Sequence, residues 1–263
     1  MKKLLCCDFA KIVFAIGVAL GLAELAIAAE KKDARVTQVV KDVRLLTSKT
    51  GARPAAVNDS VYEGTAVKTG GDSRAELTFV DQTLTRLGAN TVFSFGDAAK
   101  AFDLASGAVL ICVPKEKGVV KINTAAATAA ITGGIAMTEA HSTSWTKIIV
   151  IEGKACVKLK NSTKPCLKLH SGEMLILPPE ARRFTEKKNV NLRKLTGSAR
   201  LIHQAPLPDW VQDLINAAVA DQEILPPSGG YTDPTGIDKI DQNAATIPAP
   251  TPRPIVHPGP SPG

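Results

Sequence analysis

The chain has 263 residues, 44% of them apolar and only 4% aromatic, and its formal net charge is +7. This length allows one large domain or two small ones with a hydrophobic core, and the shortage of aromatic residues excludes an aromatic-rich core in favour of Val, Leu, Ile and Ala on short strands. The basic balance favours anionic partners, but no nucleic-acid recognition motif is present, so nucleic acid is not an expected partner.

Residues 1–28 have the pattern of a secretory signal peptide. Lys2, Lys3 and Lys11 precede an apolar run from Ile12 to Ala28. Ala26 and Ala28 have the spacing of an A-x-A cleavage site, which predicts cleavage after Ala28. The alternative is an uncleaved membrane anchor, although Glu24 within the run would be costly in lipid. Either way, the rest of the chain is expected in the periplasm or another extracytoplasmic space. Cleavage takes three lysines and two acidic residues from the net charge of +7 and leaves +6.

Between residues 34 and 180 the sequence is a succession of short β-strand patterns separated by turn residues. Period-two alternation is clear in RAELTF, and TVFSF and KIIVIEG are further short strand patterns. Glycines such as Gly70 and Gly71 stand between the strands. No amphipathic stretch of helical length intervenes, which argues against a parallel βαβ sheet. We therefore predict an all-β domain of many short strands, arranged either as a β-solenoid-like stack or as a sandwich.

Two of the three cysteines that remain after cleavage lie in one predicted hairpin, KACVKLKNSTKPCLKL. If Ala155 and Val157 face the core, Cys156 and Cys166 point to the opposite face by the period-two rule. In an oxidising compartment we expect them to form a disulfide, and the alternative is two separate thiols. The third, Cys112, lies in GAVLICV, where both strand faces are apolar, and is expected to be a buried hydrophobe.

The order of these patterns resembles the FecR domain family. NDSVYEGTAVKTGGDSRAELTFVDQTLTRLGANTVFSF is similar to the core signature of that family, in which a strand ending in T-G precedes an S-R-A-x-L-x-F strand and a D-G-S-like turn. LASGAVLICV, VVKINTAAATAAITGGIAM, KIIVIEGKACVKL and LKLHSGEMLILPP are similar to its later segments. The resemblance covers residues 34–180 and implies a periplasmic, solenoid-like or sandwich-like β module that mediates protein contacts.

Two turns depart from the family pattern. Gln82 stands where the family has glycine, which predicts a turn without a positive φ at this position. Gly133 and Gly134 replace a G-T turn, and we interpret them as a β-turn or bulge.

The iron-citrate regulators that named the family also have a cytoplasmic N-terminal domain that binds an alternative sigma factor. Only eleven residues precede the apolar run in this chain. Eleven residues are too few to fold, so the expectation is that this chain is not a complete regulator of that kind.

Residues that could carry chemistry are sparse. The four histidines have no metal-binding spacing, so neither a metal ion nor a cofactor is expected. His141, close to Glu139 and Ser142, is the best acid/base candidate, but no nucleophile motif accompanies it, whereas His170 is expected to be an exposed polar residue. The sequence therefore predicts a non-enzymatic protein, and an envelope hydrolase that depends on His141 is the alternative.

Residues 181–204 form a basic segment that is expected to connect the β domain to the C-terminal region. We predict that it contacts an anionic partner such as a phospholipid surface, a phosphate-bearing envelope polymer or an acidic protein, and the alternative is a solvated connection. The candidate binding residues are Arg182, Arg183, Lys187, Lys188, Arg193 and Lys194.

Two further regions follow the basic segment. PLPDWVQDLINAAVADQ predicts one amphipathic helix over residues 205–223, with Asp209 as its N-cap and an apolar stripe that packs on the β domain. A partner-binding helix is the alternative if Trp210 is exposed. Residues 226–263 are dominated by Pro, Gly, Ser and Thr, which predicts a disordered tail.

Together these patterns predict an exported, FecR-like module that binds or senses another cell-envelope component, either a protein or an anionic polymer. The alternative is a membrane-anchored regulatory component of a sigma/anti-sigma type signalling system. That alternative requires association with the inner membrane through an uncleaved N-terminus.

Overall fold

The computed structural model describes residues 34–47, 51–96 and 100–232, and within these residues it contains fifteen strands and three helices. The predicted signal, residues 1–28, and most of the predicted tail lie outside the described residues. The first eight strands are β1 (Ala34–Val40), β2 (Val43–Thr47), β3 (Gly51–Pro54), β4 (Ser60–Val61), β5 (Ala66–Thr69), β6 (Arg74–Phe79), β7 (Leu84–Leu87) and β8 (Val92–Gly96). The others are β9 (Ala101–Val113), β10 (Val119–Asn123), β11 (Ala127–His141), β12 (Trp145–Leu159), β13 (Leu167–His170), β14 (Glu173–Leu177) and β15 (Lys188–Asn189). The helices are α1 (Leu192–Ser198), α2 (Arg200–His203) and α3 (Asp209–Ile224). The prediction of an all-β domain with a C-terminal helical region is confirmed.

Three long strands bend at glycines and so belong to two layers of the sheet. Gly107 in β9, Gly133 and Gly134 in β11, and Gly153 in β12 all have positive φ, between 58° and 110°. The part of β9 that precedes Gly107 pairs with β8, and the part that follows Gly107 pairs with β7 and β11. Likewise β11 pairs first with β10 and then with β9, and β12 pairs first with β14 and then with β13.

Three strands are longer than the sequence predicted, because they continue through the glycines at which they bend. The sequence indicated short strands, because glycines inside a strand read as turns, whereas β9, β11 and β12 have 13, 15 and 15 residues. The interpretation of Gly133 and Gly134 as a bulge is confirmed, because the β11–β12 register shifts between Ile131 and Gly134. An added Cβ on Gly134 would lie 2.2 Å from the carbonyl oxygen of Glu152, so only glycine fits this crossing.

The two layers enclose one hydrophobic core, which makes the domain sandwich-like. The first layer runs β4-β1-β6-β7-β9-β11-β12-β14-β15, and the second runs β3-β2-β5-β8-β9-β10-β11-β12-β13. Side chains of both layers meet in this core, for example Leu77 and Ile148 from the first layer and Phe93 and Ile122 from the second.

A second hydrophobic core lies between the outer face of the first layer and the helices. Strand β9 serves both cores: Val109 and Ile111 face the first core, whereas Leu110 and Cys112 face the second. This two-sided burial explains why GAVLICV lacks polar alternation. The helices contribute the apolar side chains Leu192, Leu195, Leu201, Ile202, Val211, Ile215 and Ala218 to the second core.

The helical region departs from the sequence prediction in two respects. The structure has three helices among its described residues where the sequence indicated one, because α1 and α2 lie within the predicted basic segment. Asp209 is the first residue of α3 and not its N-cap; Pro208 occupies that position and makes no side-chain cap hydrogen bond. The apolar stripe of α3 packs on the β domain as predicted, and Trp210 is partly buried against the second core.

One fully buried arginine joins the β domain to the helical region. Arg86 in β7 has no exposed surface, and its guanidinium group uses all five N–H donors. Its Nε donates to Glu76 in β6 over 2.8 Å. The Nη1 and Nη2 atoms donate to the backbone carbonyl oxygens of Leu201, Ile202, Ala205 and Pro206 over 2.7–3.1 Å. We call this arrangement the Arg86 clamp, and it satisfies carbonyl groups at and after the end of α2 that would otherwise be buried without donors.

We predict that Arg86→Lys lowers the free energy of unfolding by about 3–5 kcal/mol, because an ammonium group cannot replace the planar five-donor fork and leaves buried carbonyls unpaired. Denaturant unfolding measures the change, and hydrogen exchange is expected to accelerate first in α1, α2 and α3. The exposed Arg44, which forms a surface ion pair with Asp42, provides the control: Arg44→Lys is expected to change stability by less than about 0.5 kcal/mol. Equal stabilities for the two variants would contradict the clamp.

The turn between β6 and β7 contradicts the prediction made for Gln82, whose φ is 69°. Asp81 holds this turn: its carboxylate accepts hydrogen bonds from the backbone N and the Oγ1 of Thr83, each over 3.0 Å, and forms an ion pair with Lys100. Burial raises the pKa of Asp81, but the hydrogen bonds from Lys100 and Thr83 outweigh burial and lower it overall. These contacts impose the left-handed conformation on a residue that is not glycine.

We predict that Gln82→Gly raises the free energy of unfolding by about 1 kcal/mol, because glycine removes the steric cost of a left-handed backbone at this position. Thermal and denaturant unfolding measure the change. Gln82→Ala is the matched control and is expected to give no gain, since its Cβ retains that cost. A gain of the same size in both variants would show that the side chain of Gln82, and not its backbone conformation, is unfavourable.

Candidate functional site

The six predicted binding residues of the basic segment do not form one patch of equivalent side chains. Lys187 donates from Nζ to Oε1 of Glu173 over 2.6 Å, and Arg193 forms an ion pair with Glu223 of α3. Burial raises the pKa of Glu173, but hydrogen bonds from Lys187 and from the backbone of His170 lower it overall. These two basic residues therefore hold β15 and α1 against their neighbours.

The other predicted binding residues are presented to solvent. Arg182 and Arg183 lie in the connection between β14 and β15, Lys188 lies in β15, and Lys194 lies in α1, where its backbone N–H donates to the Asn191 side chain. All four are exposed. A role for the six residues in binding stays a prediction, and Arg182, Arg183 and Lys188 are the members best placed for it.

An open groove with a volume of about 360 Å³ lies between α1, α2 and α3. Both apolar and polar side chains line it, which is the usual composition of a ligand or peptide groove. The lining includes Arg193, Ile202, His203, Asn216, Val219 and Glu223. His203 contributes a ring nitrogen 2.8 Å from the carbonyl oxygen of Thr196 and so fixes one wall.

The acid/base candidate His141 belongs to a cluster at the tip of the β11–β12 hairpin. Its Nε2 lies 3.0 Å from Oε1 of Glu139, whose Oε2 lies 3.5 Å from Nζ of Lys147. The indole ring of Trp145 contacts both His141, at 4.4 Å between ring centroids, and the ammonium of Lys147, at 4.7 Å. Glu139 and Lys147 are almost fully buried, so the cluster balances a buried carboxylate.

The surroundings of this cluster are tightly packed. The space between Ala108, Met137, Glu139, Lys147 and Leu201 has no measurable free volume. The cluster therefore stabilises the hairpin where it approaches α2. Sequence analysis missed Trp145 and Lys147, although the mirror-image spacing of 139 and 147 about the turn at 142–144 is a signal that could have paired them.

The two hairpin cysteines, Cys156 and Cys166, are joined in the structure with their Cα atoms 5.5 Å apart. Cys156 lies opposite Lys168, so both cysteines are on the outward face while Ala155, Val157 and Leu169 are buried. Cys112 is fully buried, as expected, and burial raises the pKa of its thiol to about 12. Such a thiol is unreactive at neutral pH.

We predict that an alkylating reagent labels one thiol per denatured, unreduced chain that begins at Ala29, and three after reduction. Mass spectrometry counts the labels. Without denaturant or reductant no label is expected, because Cys112 is buried and protonated. Three labels before reduction would exclude the disulfide, which is expected to contribute about 2–3 kcal/mol to stability by closing a short loop.

No group of three or more His, Cys, Asp or Glu side chains suitable for a metal ion occurs among the described residues. Within those residues, no helix combines the length and apolar character needed to cross a bilayer. The structure thus defines a two-layer β domain with a helical cover, a groove and exposed basic surfaces.

Comparison with known proteins identifies the class of this domain. The family model described as FecR protein matches residues 65–156, which run from the start of β5 into β12 and include the three bent strands. The resemblance to the FecR domain predicted from the sequence is therefore confirmed for this part of the chain. No curated protein matches the sequence significantly.

Two solved structures are similar to part of this chain. Two crystal structures of a candidate anti-sigma factor from Parabacteroides distasonis ATCC 8503, at 1.65 and 2.50 Å resolution, are similar to the chain with 15% and 16% sequence identity. They cover 53% and 52% of this chain and 74% and 73% of their own chains, each with a TM-score of 0.41.

Proposed function

We propose that this chain is a non-enzymatic, FecR-type module that serves as a regulatory component of a sigma/anti-sigma type signalling system. The observation that carries the proposal is the FecR match over residues 65–156, which covers the bent strands that build both layers. A sheet of this kind is a rigid scaffold, and function on such a scaffold lies in its surfaces and loops.

The contact surface that we assign to this function is the groove between α1, α2 and α3. It is concave, partly apolar, and bordered by the ion pair of Arg193 and Glu223. A partner segment that enters the groove would bury apolar surface on Val219 and Ala220 and find polar partners in Gln212 and Asn216. The predicted binding residue Lys194 lies on the adjoining helix α1.

The non-enzymatic part of the proposal is supported by the state of the best acid/base candidate. His141 lies within hydrogen-bond distance of Glu139 and contacts the ring of Trp145 at a tilted angle, and the neighbouring space is filled. A general base must reach a proton on a bound substrate, and this geometry provides no room for a substrate beside Glu139. Replacing His141 is accordingly expected to change the stability of the hairpin and no turnover.

We also propose that the β domain lies outside the cytoplasm and that the N-terminal apolar segment anchors it to the membrane. The regulatory function requires that residues 12–28 stay attached as a membrane anchor, whereas an exported module loses them. Mass spectrometry of the N-terminus of the native protein distinguishes the two, and a chain that begins at Ala29 would contradict the anchored regulator.

We predict that deleting the gene changes a discrete set of transcripts several-fold and that the full-length chain restores them. Asn216→Arg, which fills the groove, is expected to fail in this complementation. Ala217→Arg places the same side chain one position along α3, outside the groove lining, and is expected to complement fully. RNA sequencing of the four strains measures the effect, with immunoblots to confirm equal amounts of each variant.

A second candidate function is supported by the exposed residues Arg182, Arg183 and Lys188. None of the three forms an ion pair with another described residue, and such uncompensated charge suits an anionic envelope component. If deletion leaves the transcripts unchanged while the chain still binds purified envelope polymer, the regulatory proposal fails and this binding function replaces it.

A further inference from the structure

The outer face of the second layer carries a basic surface that the sequence analysis did not identify. Strands β10, β11, β12 and β13 lie side by side, and their inward side chains, such as Ile122, Val157 and Leu169, are buried in the first core. The outward side chains alternate with these and are exposed or half-buried. Unlike the outer face of the first layer, this face has no helix packed on it among the described residues.

Four exposed lysines are placed on this face by the strand register. Lys168 in β13 lies opposite Cys156 in β12, Cys156 lies opposite Ala130 in β11, and Ala130 lies opposite Lys121 in β10. This row of four strands spans about 14 Å at the usual strand spacing. Lys154 and Lys158 are two residues on either side of Cys156 and therefore point the same way. We call these four lysines and the strands between them the basic sheet face.

The charge of the basic sheet face is mostly uncompensated within the described residues. None of the four lysines forms an ion pair there, and two of the neighbouring carboxylates are paired with other lysines: Glu152 with Lys115 over 3.3 Å and Glu173 with Lys187. Asp103, which accepts a hydrogen bond from the neutral amide of Asn123 over 3.0 Å, offsets one of the four positive charges at most. Between Lys154 and His170 the chain has five lysines and no acidic residue.

The shape and the residue types of this face indicate what it binds. Small side chains, Thr128 and Ala130, separate the lysines, and the Cys156–Cys166 disulfide holds the following loop to the sheet. Lysine is a point charge on a flexible stem, whereas recognition of a single phosphate or carboxylate group commonly uses the bidentate fork of arginine. At the edge of the face, Val119 points outward with 40% of its surface exposed, next to Lys121 in the same strand. A flat array of lysines beside an exposed aliphatic side chain matches an anionic lipid surface better than one small ligand.

We propose that the basic sheet face docks the domain on a membrane surface that contains anionic phospholipids. The lysine ammonium groups contact the headgroup phosphates, and the aliphatic stems and Val119 lie at the headgroup level. This docking would hold the second layer toward the bilayer and leave the groove, on the helical side of the first layer, directed to the aqueous space. The proposal does not depend on the regulatory function, because it concerns a different surface and a different ligand.

The test is vesicle co-sedimentation of the chain as isolated from producing cells, with phosphatidylglycerol-containing and pure phosphatidylcholine vesicles. The variant Lys121→Gln, Lys154→Gln, Lys158→Gln, Lys168→Gln is expected to lose about 30-fold or more of the affinity for the anionic vesicles, given the contribution of each lysine near such a surface. The matched control is Arg35→Gln, Lys41→Gln, Arg44→Gln, Arg53→Gln, which removes the same charge from exposed positions outside both the basic segment and the basic sheet face and is expected to retain most of the affinity. Thermal unfolding confirms that both variants are folded.

The difference between the two vesicle types isolates the electrostatic contribution, since an apolar N-terminal segment would insert into both. Binding to the anionic vesicles is expected to disappear at high salt. Acetylation footprinting gives an independent measurement: anionic vesicles are expected to protect Lys121, Lys154, Lys158 and Lys168, and not Lys188.

Three outcomes would overturn the proposal. Equal loss in both variants would show that net charge and not this face drives binding. Equal binding to neutral and anionic vesicles would exclude a lipid-charge contribution. Tighter binding of soluble poly-glutamate than of anionic vesicles at the same charge concentration would assign the face to an acidic polypeptide instead.

Discussion

The Arg86 clamp joins the β domain to the helical region through polar contacts, at the edge of the second hydrophobic core that packs the helices on the first layer. The guanidinium group is buried between β7 and the turn after α2, where its five donors meet the Glu76 carboxylate and four backbone carbonyl oxygens. A buried charge is tolerated only when it is paired and fully hydrogen-bonded, and this one is. Gln204 adds to the same junction by donating to Gln38 and to the backbone of β6. The groove, the second core and the placement of α3 all depend on this junction, because they exist only where the helices lie on the first layer.

Bends at glycines allow three strands, β9, β11 and β12, to contribute one part to each layer. Each long strand passes from one layer to the other at a glycine with positive φ, so strand pairing continues while the sheet folds over its own core. The construction buries the first layer on both faces and leaves one face of the second layer open. The same construction accounts for the distribution of charge. Some basic residues near the helices form ion pairs, as Arg193 does with Glu223, whereas the four lysines of the basic sheet face form none with another described residue.

Two surfaces on opposite sides of the domain can therefore act independently. The helical side has a concave surface of apolar and polar side chains that suits a protein segment. The second layer has a flat basic surface that suits lipid headgroups. Under the two proposals, the basic sheet face would lie on the membrane and the groove would face the aqueous space, where a protein partner could reach it. The cluster at the hairpin tip lies beside α2 and consists of Glu139, His141, Trp145 and Lys147. A movement of the helices would therefore change the surroundings of the buried Glu139–Lys147 ion pair.

The sequence by itself determined the local features of this protein. Period-two alternation indicated most of the strands, the order of turns indicated the FecR resemblance, and apolar residues on both faces of GAVLICV indicated the burial of Cys112. It did not determine that Gln82 takes a left-handed conformation, because Asp81, Thr83 and Lys100 impose it through contacts of the folded turn. It also did not reveal the Arg86 clamp or the basic sheet face. Arg86 meets carbonyl groups more than a hundred positions away, and Lys121 joins Lys154, Lys158 and Lys168 only through the pairing of four strands. Local pattern depends on near neighbours in the chain, whereas these charges acquire their partners or their exposure only when the tertiary structure brings distant strands together.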